Sequence, residues 1–320
     1  MKVVALAGGV GGAKLVDGLA QVLPEDSLTV IVNTGDDFEH LGLRICPDLD
    51  TVCYTLAGIA NPVTGWGRAG ETWHALEAID QLGGPAWFRL GDYDLGVHLE
   101  RTRLLSIGKT LSQICQHFCS IWEIKPHVLP MSDYQVATIV HSDEGDLPFQ
   151  DYFVKRRCEP QVSGFSFEGA GQANPAPGVL EGINNADLIV ICPSNPWVSI
   201  DPILAVQEIK SAIVNRDNGT PVIAVSPIIQ GKTIKGPAAK MFSELGINPS
   251  ASNVAKHYGS LQERGFLSGF VIDDLDVNER ASIDKLGLSS IVTNTIMKTE
   301  EDRKELANVI LRYAGLHFEL

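Results

Sequence analysis

Basic residues are scarce in this chain. Its 320 residues include 25 Lys and Arg against 39 Asp and Glu, which gives a formal net charge of −14 at pH 7. Nucleic acids and anionic membrane surfaces are themselves negative, so a chain this acidic is a poor partner for either. We therefore expect no nucleic-acid and no membrane partner, and any local group of lysines becomes informative.

Long apolar runs are also missing. No segment approaches the roughly 20 apolar residues of a membrane span, and the N-terminus passes directly into a predicted strand without a signal peptide. We therefore expect a cytoplasmic protein. The hydrophobic content of 44% is ordinary for a globular protein, and the length suits one large domain or one domain with a sizeable insertion.

Cysteines are few and scattered, without a metal-binding framework. Cys115, His117 and Cys119 have helical spacing, and no second ligand cluster accompanies them in the sequence. Buried structural thiols are therefore a better interpretation than a zinc site.

The two ends of the chain carry the pattern of a parallel α/β sheet. Residues 3–7 and 28–33 are β-branched and apolar, as in buried parallel strands, and residues 13–22 between them have helical periodicity. This is a β-α-β unit. Further strands of this type are predicted at residues 186–192, 221–226, 269–273 and 290–294, with helices at 202–215, 237–245 and 254–258. The fold class predicted is α/β, with a doubly wound, mainly parallel Rossmann-like sheet.

The middle of the chain has a different character. Residues 135–141 and 149–155 alternate around an acidic turn and predict a β-hairpin, whereas residues 164–177 are typical of a loop. Helices are predicted at residues 51–60, 72–82, 90–100 and 110–118. We predict a Rossmann-like nucleotide-binding core formed by residues 1–50 and 180–320, and a mostly helical inserted substrate region with a β-hairpin formed by residues 51–179.

The glycine-rich turn GGVGGAK at residues 8–14 matches neither familiar phosphate-loop motif. Leu15 stands where a Walker loop has Ser or Thr, and Lys14 stands where the dinucleotide motif has its third glycine. Glycines nevertheless let a backbone approach phosphate closely, and the following helix offers free N–H groups. An anion site is favoured over a tight turn packed on itself, with Gly9, Gly11, Gly12 and Lys14 as nucleotide-binding candidates.

Carboxylates are concentrated after the second predicted strand. Asp36, Asp37, Asp48 and Asp50 fall within fifteen residues at or beyond the carboxyl end of that strand, where open α/β sheets bind ligands. Mg²⁺ binds in this way, through one or two carboxylates and substrate phosphates. The alternative is that Asp48 or Asp50 only caps a helix that starts at Thr51, which would explain one aspartate but not the group.

Three further polar groups are candidates for substrate contacts. Arg89 and Asp92 follow two aromatic residues, and the arginine could clamp a phosphate or carboxylate; a surface Arg–Asp pair is the alternative. Two loops that precede predicted helices offer small polar and basic groups for a polyanion, although the lysines could simply be solvated. The loop residues are Ser194, Asn195 and Ser199 in one, and Gly231, Lys232, Lys235 and Gly236 in the other.

These residues indicate a phosphate-transferring or nucleotide-binding protein. A family resemblance makes this functional expectation more specific. Eight motifs, in order from residue 1 to about residue 259, resemble the 2-phospho-L-lactate transferase family of coenzyme F-420 biosynthesis. They are GGVGGAKL, VNTGDD, CPDLDTVCYTLAG, WGRAGETWHAL, FRLGDYDLGVHLERTRLL, PMSDYQVATIV, CPSNPWVSIDPIL and SPIIQGKTIKGPAAKM.

The resemblance implies a definite reaction. Lactyl-2-diphospho-5′-guanosine, or its enolpyruvyl analogue, donates a phospho-acid group to the ribityl hydroxyl of the deazaflavin Fo, GMP leaves, and Mg²⁺ is required. Family members are commonly homodimers. The resemblance further implies that Asp48 and Asp50 hold the metal and carry catalysis, while Asp36, Asp37, Asp48, Arg89 and Asp92 contact Fo or the three-carbon acid. The glycine-rich turn and the two polar loops would hold the guanosine diphosphate.

Two other function classes are alternatives. Nucleotide-sugar-binding regulators of the gluconeogenesis-factor type share the glycine-rich start and the Asp pair, but there glycines and serines follow the pair, whereas Phe38 follows it here. A nicotinamide-dependent oxidoreductase would need a glycine at Lys14 and an acidic residue at the end of strand two, where Asn33 stands. Neither class fits as well as the transferases.

Overall fold

The computed structural model describes residues 1–216, 219–260, 262 and 265–317. Within them the strands are β1 (Val3–Ala7), β2 (Leu28–Val32), β3 (Phe38–His40), β4 (Leu43–Ile45), β5 (His127–Pro130), β6 (Ala137–Ser142), β7 (Gly145–Pro148), β8 (Val162–Glu168), β9 (Leu188–Ile191), β10 (Val222–Val225), β11 (Ile228–Ile229), β12 (Lys232–Thr233), β13 (Gly269–Asp273) and β14 (Ser289–Thr293).

Helices flank these strands. They are α1 (Gly9–Val22), α2 (Pro47–Leu56), α3 (His74–Gln81), α4 (Asp92–Ser106), α5 (Leu111–Ile121), α6 (Val179–Asn184), α7 (Asp201–Ala205), α8 (Ile209–Val214), α9 (Ala238–Glu244), α10 (Ala251–Tyr258), α11 (Arg280–Asp284) and α12 (Glu300–His317). Short helical turns of other types cover Asp151–Lys155, Pro196–Ile200 and Asp274–Glu279. No helix in the described part of the chain has the length and apolarity needed to cross a membrane.

The central sheet confirms the predicted α/β class. Its strands are all parallel and lie in the order β14-β13-β10-β9-β1-β2-β5. Both faces are covered, as parallel sheets require: in β1, Val3 and Ala5 pack with α1, α2, α5 and α12, whereas Val4 and Leu6 pack with the layer that contains α6 and α8. The apolar runs in the sequence are therefore strands buried on both sides.

The order of the strands determines where a ligand can bind. Within the sheet, β2 and β5 lie on one side of β1. The chain then returns to β9, which lies on the other side of β1. Loops that leave the carboxyl ends of β1 and β9 consequently diverge, and a crevice forms between them.

Two predicted boundaries in the core differ from the structure. β5 was not predicted; it is a short edge strand that ends at Pro130, where a missing N–H costs no ladder bond. It lies inside the segment assigned to the insertion, so that segment contributes to the central sheet, while the division into core and insertion stays a prediction. The predicted helix at residues 202–215 is two helices, α7 and α8, because Glu208 adopts a left-handed conformation with φ of 66°.

The predicted hairpin exists with a different second strand. β6 pairs with β7 through the two-residue turn Asp143-Glu144, and with β8 on its other side. β7 ends at Pro148, and the residues predicted as strand, 149–155, instead include the helical turn Asp151–Lys155. The predicted loop at residues 164–177 was also wrong at its start, which belongs to β8.

α1 and α12 pack closely at a glycine. A Cβ atom on Gly18 would lie 2.2 Å from the backbone oxygen of Arg303, so only glycine permits this approach. Gly315, on α12, faces open space: among the described residues, no heavy atom lies within 4 Å of the position that a Cβ would take there.

Replacing Gly18 by alanine should therefore destabilise the fold. We expect Gly18→Ala to lower the free energy of unfolding by about 1–3 kcal/mol, because the two helices must separate. Gly315→Ala is the matched control and should raise it by about 0.5–1 kcal/mol through helix propensity. Urea unfolding measures both, and equal effects of the two variants would contradict the packing described.

Candidate active site

A cleft opens at the carboxyl ends of the parallel strands. Its volume is about 810 Å³, in the upper part of the roughly 300–1,000 Å³ range of small-molecule sites. Its lining includes Gly8 after β1, Asp36 after β2, Ser194 after β9, Ser226 after β10 and Thr295 after β14. Five strands therefore contribute to the same cleft, as the strand order requires.

Asn33 joins two carboxylates at the floor of this cleft. Its side-chain amide lies 2.9 Å from Oδ2 of Asp48 and 3.4 Å from Oδ1 of Asp36. The second oxygen of Asp48 accepts a hydrogen bond of 2.7 Å from the backbone N–H of Gly9, and Oδ2 of Asp36 accepts one of 3.2 Å from Gln150. Asp36 and Asp48 are thus held together although 12 residues separate them in the chain.

Burial and mutual repulsion disfavour negative charge on this pair. Burial raises the pKa of Asp48 to about 6, against the hydrogen bonds from Asn33 and Gly9. The pKa of Asp36 is raised well above its usual range, first by burial and then by the charge of Asp48. Two buried carboxylates that both resist ionisation gain most from a cation between them. The oxygen donors suit Mg²⁺ in particular.

Asp50 has a different partner. Its Oδ1 accepts a hydrogen bond from the Arg101 guanidinium, and its Oδ2 lies 3.7 Å from Nδ1 of His98. Arg101 also donates a hydrogen bond of 3.1 Å to Nδ1 of His98. Nδ1 is therefore the acceptor nitrogen of this ring, and Nε2 carries the proton. Burial raises the pKa of Asp50 and the Arg101 charge opposes that rise.

Asp94, rather than Asp92, faces the cleft from α4. Burial, aided by the charge of Asp50, raises the pKa of Asp94 to about 7. Asp92 instead accepts hydrogen bonds from Thr72 and the start of α3, and it lies outside the lining. Sequence reasoning missed Asp94, His98 and Arg101 as a group; their i, i+4, i+7 spacing on one helix face was the available signal.

Asp37 also points away from the cleft. It pairs with Arg44 at 3.4 Å, and burial raises its pKa to about 7 despite the arginine. Asp37 is absent from the lining of the cleft. Of the aspartates singled out from the sequence, the structure thus brings Asp36, Asp48 and Asp50 into the cleft.

The glycine-rich turn is packed on its neighbours as well as open to the cleft. A Cβ on Gly11 would lie 2.5 Å from the backbone oxygen of Pro193, and one on Gly12 would lie 2.7 Å from Ser194 Oγ. Gly9 has a left-handed φ of 65°, and open space surrounds its Cβ position. Gly9 and Gly11 line the cleft whereas Gly12 does not, so the turn is partly open and partly packed, and the anion site stays a prediction.

The loop after β9 is locked to that turn. Ser194 Oγ accepts a hydrogen bond from the Gly8 N–H and donates one of 2.8 Å to the Gly8 oxygen. The side chain of Asn195 caps the following helical turn through the Trp197 N–H. Both residues, together with Ser199, line the cleft, and their role in nucleotide binding stays a prediction.

Lysines also contribute to the lining of the cleft. Lys14 donates a hydrogen bond of 2.7 Å to the oxygen of Met297, and Lys235 donates to the oxygen of Thr64. Burial lowers the pKa of Lys14, and the charges of Arg303 and Lys235 lower it further. Lys298, which sequence reasoning missed, also lines the cleft.

The predicted phosphate loop before α9 lies only partly in the cleft. Lys235 and Gly236 line the cleft, but Gly231 and Lys232 do not. Gln230 and Gly231 both have positive φ, at 49° and 73°, and form the two-residue turn between β11 and β12. Gly231 is therefore required by the turn itself.

Aromatic side chains form the outer wall of the cleft. Trp87 and Phe88 come from one segment of the inserted region, and Phe149 and Phe153 stack on each other at 5.3 Å. Arg89 lies over the Trp73 ring at 4.3 Å and also lines the cleft. The wall therefore combines flat apolar surface with a fixed cation.

The cleft brings together buried carboxylates, lysines and aromatic rings. Comparison with known proteins identifies the family to which the chain belongs. A family model described as 2-phospho-L-lactate transferase CofD matches residues 3–312. The chain belongs to the CofD family. This confirms the resemblance carried by the sequence motifs, to transferases of coenzyme F-420 biosynthesis.

Curated relatives of this CofD-family chain cover nearly its whole length. A phosphoenolpyruvate transferase of Streptomyces griseus is 41% identical over 319 residues, covering 98% of each chain. A phosphoenolpyruvate transferase of Mycobacterium sp. (strain KMS) is 38% identical over 336 residues, covering 99% of each. Among solved structures, a member of the UPF0052 family from Bacillus halodurans has the same fold, with a TM-score of 0.64, 16% identity, and coverage of 97% of this chain and 98% of that one.

Arg101 should be a structural requirement of this site. Removing its buried charge in Arg101→Met leaves Asp50 unpaired, which we expect to lower the free energy of unfolding by about 3–5 kcal/mol. Arg103→Met is the control, because Arg103 pairs with Glu100 on the exposed face of α4, and it should cost less than about 1 kcal/mol. Denaturant unfolding compares them, and a similarly small loss in both would refute the pairing of Arg101 with Asp50.

Proposed function

We propose that this enzyme transfers a phosphoenolpyruvyl group from enolpyruvyl-2-diphospho-5′-guanosine to the terminal ribityl hydroxyl of Fo. The hydroxyl oxygen forms a bond to the phosphorus that carries the enolpyruvyl group, the bond from that phosphorus to the GMP phosphate oxygen breaks, and GMP leaves. The hydroxyl proton passes to a carboxylate. The names of the 41% and 38% identical relatives favour the enolpyruvyl donor over the lactyl donor.

One observation carries this proposal. The lining of a single cleft brings together a carboxylate pair, three lysines and an aromatic wall. Phosphoryl transfer needs charge neutralisation and positioning more than covalent participation by the protein. The three groups match the three parts of the reaction: the site of attack, the diphosphate and the flat deazaflavin.

Asp36 and Asp48 are the proposed ligands of Mg²⁺. Both are buried, and burial raises the pKa of each. Asp50 is a weaker candidate than the sequence indicated, because Arg101 already occupies one of its oxygens. When bound, Mg²⁺ would neutralise phosphate charge and polarise the attacking hydroxyl.

The protein's own groups then have separate tasks. Asn33 orients both carboxylates through its side-chain amide. Lys14, Lys235 and Lys298 would hold the diphosphate, which explains why cations are gathered here in a chain of net charge −14.

The aromatic wall is the proposed Fo site. Trp87 and Phe88 offer apolar faces to the deazaflavin ring. Arg89, held over Trp73, would pair with the carboxylate of the three-carbon acid or with the deazaflavin. A homodimer, expected from the resemblance, stays a prediction.

The first test supplies Fo, Mg²⁺ and one guanylylated donor at a time, and follows GMP release and the mass of the deazaflavin product. We expect product from the enolpyruvyl donor. Asp36→Asn and Asp48→Asn should each lower kcat by about 100-fold or more, because each removes a charge that the transition state needs. Thermal unfolding of the variants verifies that they fold. Absence of product with either donor, from folded protein that binds nucleotide, would refute the transferase proposal and favour the nucleotide-binding regulator.

A matched pair of lysines tests the diphosphate site. Lys235→Ala should raise the KM for the donor about tenfold or more, since a hydrogen bond to a charged group contributes about 1.5–3 kcal/mol. Lys232→Ala, on the same hairpin but outside the cleft lining, should leave that KM within about twofold, as expected for an exposed charge. Equal effects in the two variants would show that the hairpin acts through general charge alone.

A further inference from the structure

A group of three thiols lies between α2 and α5, outside the cleft. Cys53 comes from α2, and Cys115 and Cys119 come from one face of α5. Their sulfur atoms all lie within 4.8 Å of one another, and the Cys53 and Cys119 sulfurs are 3.9 Å apart. All three residues are buried. The sequence showed only the pair on α5, since the third thiol is more than 60 residues away in the chain.

We propose that these three sulfurs bind one soft, thiophilic cation, with Cu(I) as the ion they suit best. Metal–sulfur bonds of about 2.3 Å place three sulfurs about 4 Å apart around a shared ion. The Cys53 and Cys119 sulfurs already have this separation, at 3.9 Å, and all three sulfurs lie within 4.8 Å of one another. The cluster therefore needs little rearrangement to become a binding site.

The donor set favours Cu(I) over Zn²⁺. Soft sulfur ligands select Cu(I), and structural zinc almost always takes four ligands. No His, Asp or Glu joins the three cysteines among the residues that the structure describes. His117, on the same helix, is exposed and packs beside Phe118 instead. Cys115, His117 and Cys119 on α5 thus do not form a zinc motif. The two cysteines instead form the proposed metal site together with Cys53 of α2.

Binding exchanges protons for the metal without any redox change. Cu⁺ and three thiols give a complex with two thiolates and one thiol, and two protons leave to solvent. Metal binding of this kind releases protons because the thiolate, rather than the thiol, is the metal ligand.

The site would tie together the two helices that carry it. Cys53 lies one turn after Asp50 on α2, and the first turn of that helix carries Asp48 and Asp50. α5 packs on the edge strand β5. A bound ion would therefore fix the helix that presents the cleft carboxylates, and would stabilise the folded state by mass action.

The test uses the full-length reduced protein under anaerobic conditions. Cu(I) is supplied from a buffer that contains a chromophoric Cu(I) chelator, and metal retained per chain is measured together with the melting temperature. We expect one Cu(I) per chain and a higher melting temperature. Cys119→Ala and Cys53→Ala should weaken retention by more than about 100-fold, beyond the 10–100-fold cost of losing an outer-shell partner. Cys158→Ala, outside the cluster, should retain copper as the unmodified chain does.

The proposal would be overturned if the protein failed to compete with the chelator for Cu(I), or if Cys119→Ala and Cys53→Ala retained as much copper as the unmodified chain. Equal retention of Zn²⁺, offered in place of Cu(I) in the same format, would overturn the assignment to a soft monovalent ion. Melting curves without metal establish that each variant folds, and Cys115→Ser substitutes for any variant that does not.

Discussion

Carboxyl groups buried in one cleft impose the central electrostatic constraint on this protein. Burial raises the pKa of Asp36, Asp48, Asp50 and Asp94, so each ionised form must be stabilised by a neighbour. Arg101 compensates Asp50 directly, whereas, in the part of the chain that the structure describes, the hydrogen bonds to Asp36 and Asp48 come from neutral groups such as Asn33. The two carboxylates without a cationic partner lie where we propose that a cation and substrate phosphates bind. A bound cation would offset the energetic cost of burying them.

Close packing of three loops makes this arrangement rigid. The turn after β1 has no room for a side chain at Gly8, because a Cβ there would lie 2.5 Å from Asp48 Oδ2. Ser194 bonds both backbone groups of Gly8, and Asp48 bonds the N–H of Gly9. The glycines thus allow β1, β9 and α2 to meet, and the carboxylates are held in place before any substrate binds, which is what efficient charge stabilisation requires.

Residues 51–179 complete the cleft that the sheet begins. α4 contributes Asp94 and His98, and the segment before it contributes the aromatic residues Trp87 and Phe88. Gln150, next to the turn that replaces a predicted strand, bonds Asp36. The CofD-family sheet therefore carries the charged floor, whereas residues 51–179 supply the apolar wall and a hydrogen bond from Gln150 to Asp36.

Local sequence determined the sheet and the chemical character of the cleft, because buried parallel strands are continuous β-branched runs and because polar residues after such strands must meet at one edge. Six strands of the central sheet were predictable in this way, whereas β5, with the sequence HVLP, is not a continuous β-branched run and ends at Pro130. Tertiary structure alone decided which polar groups face the ligand. Asp94 rather than Asp92 enters the cleft, and Cys53 meets Cys119, because the rotation of a helix about its axis depends on what it packs against.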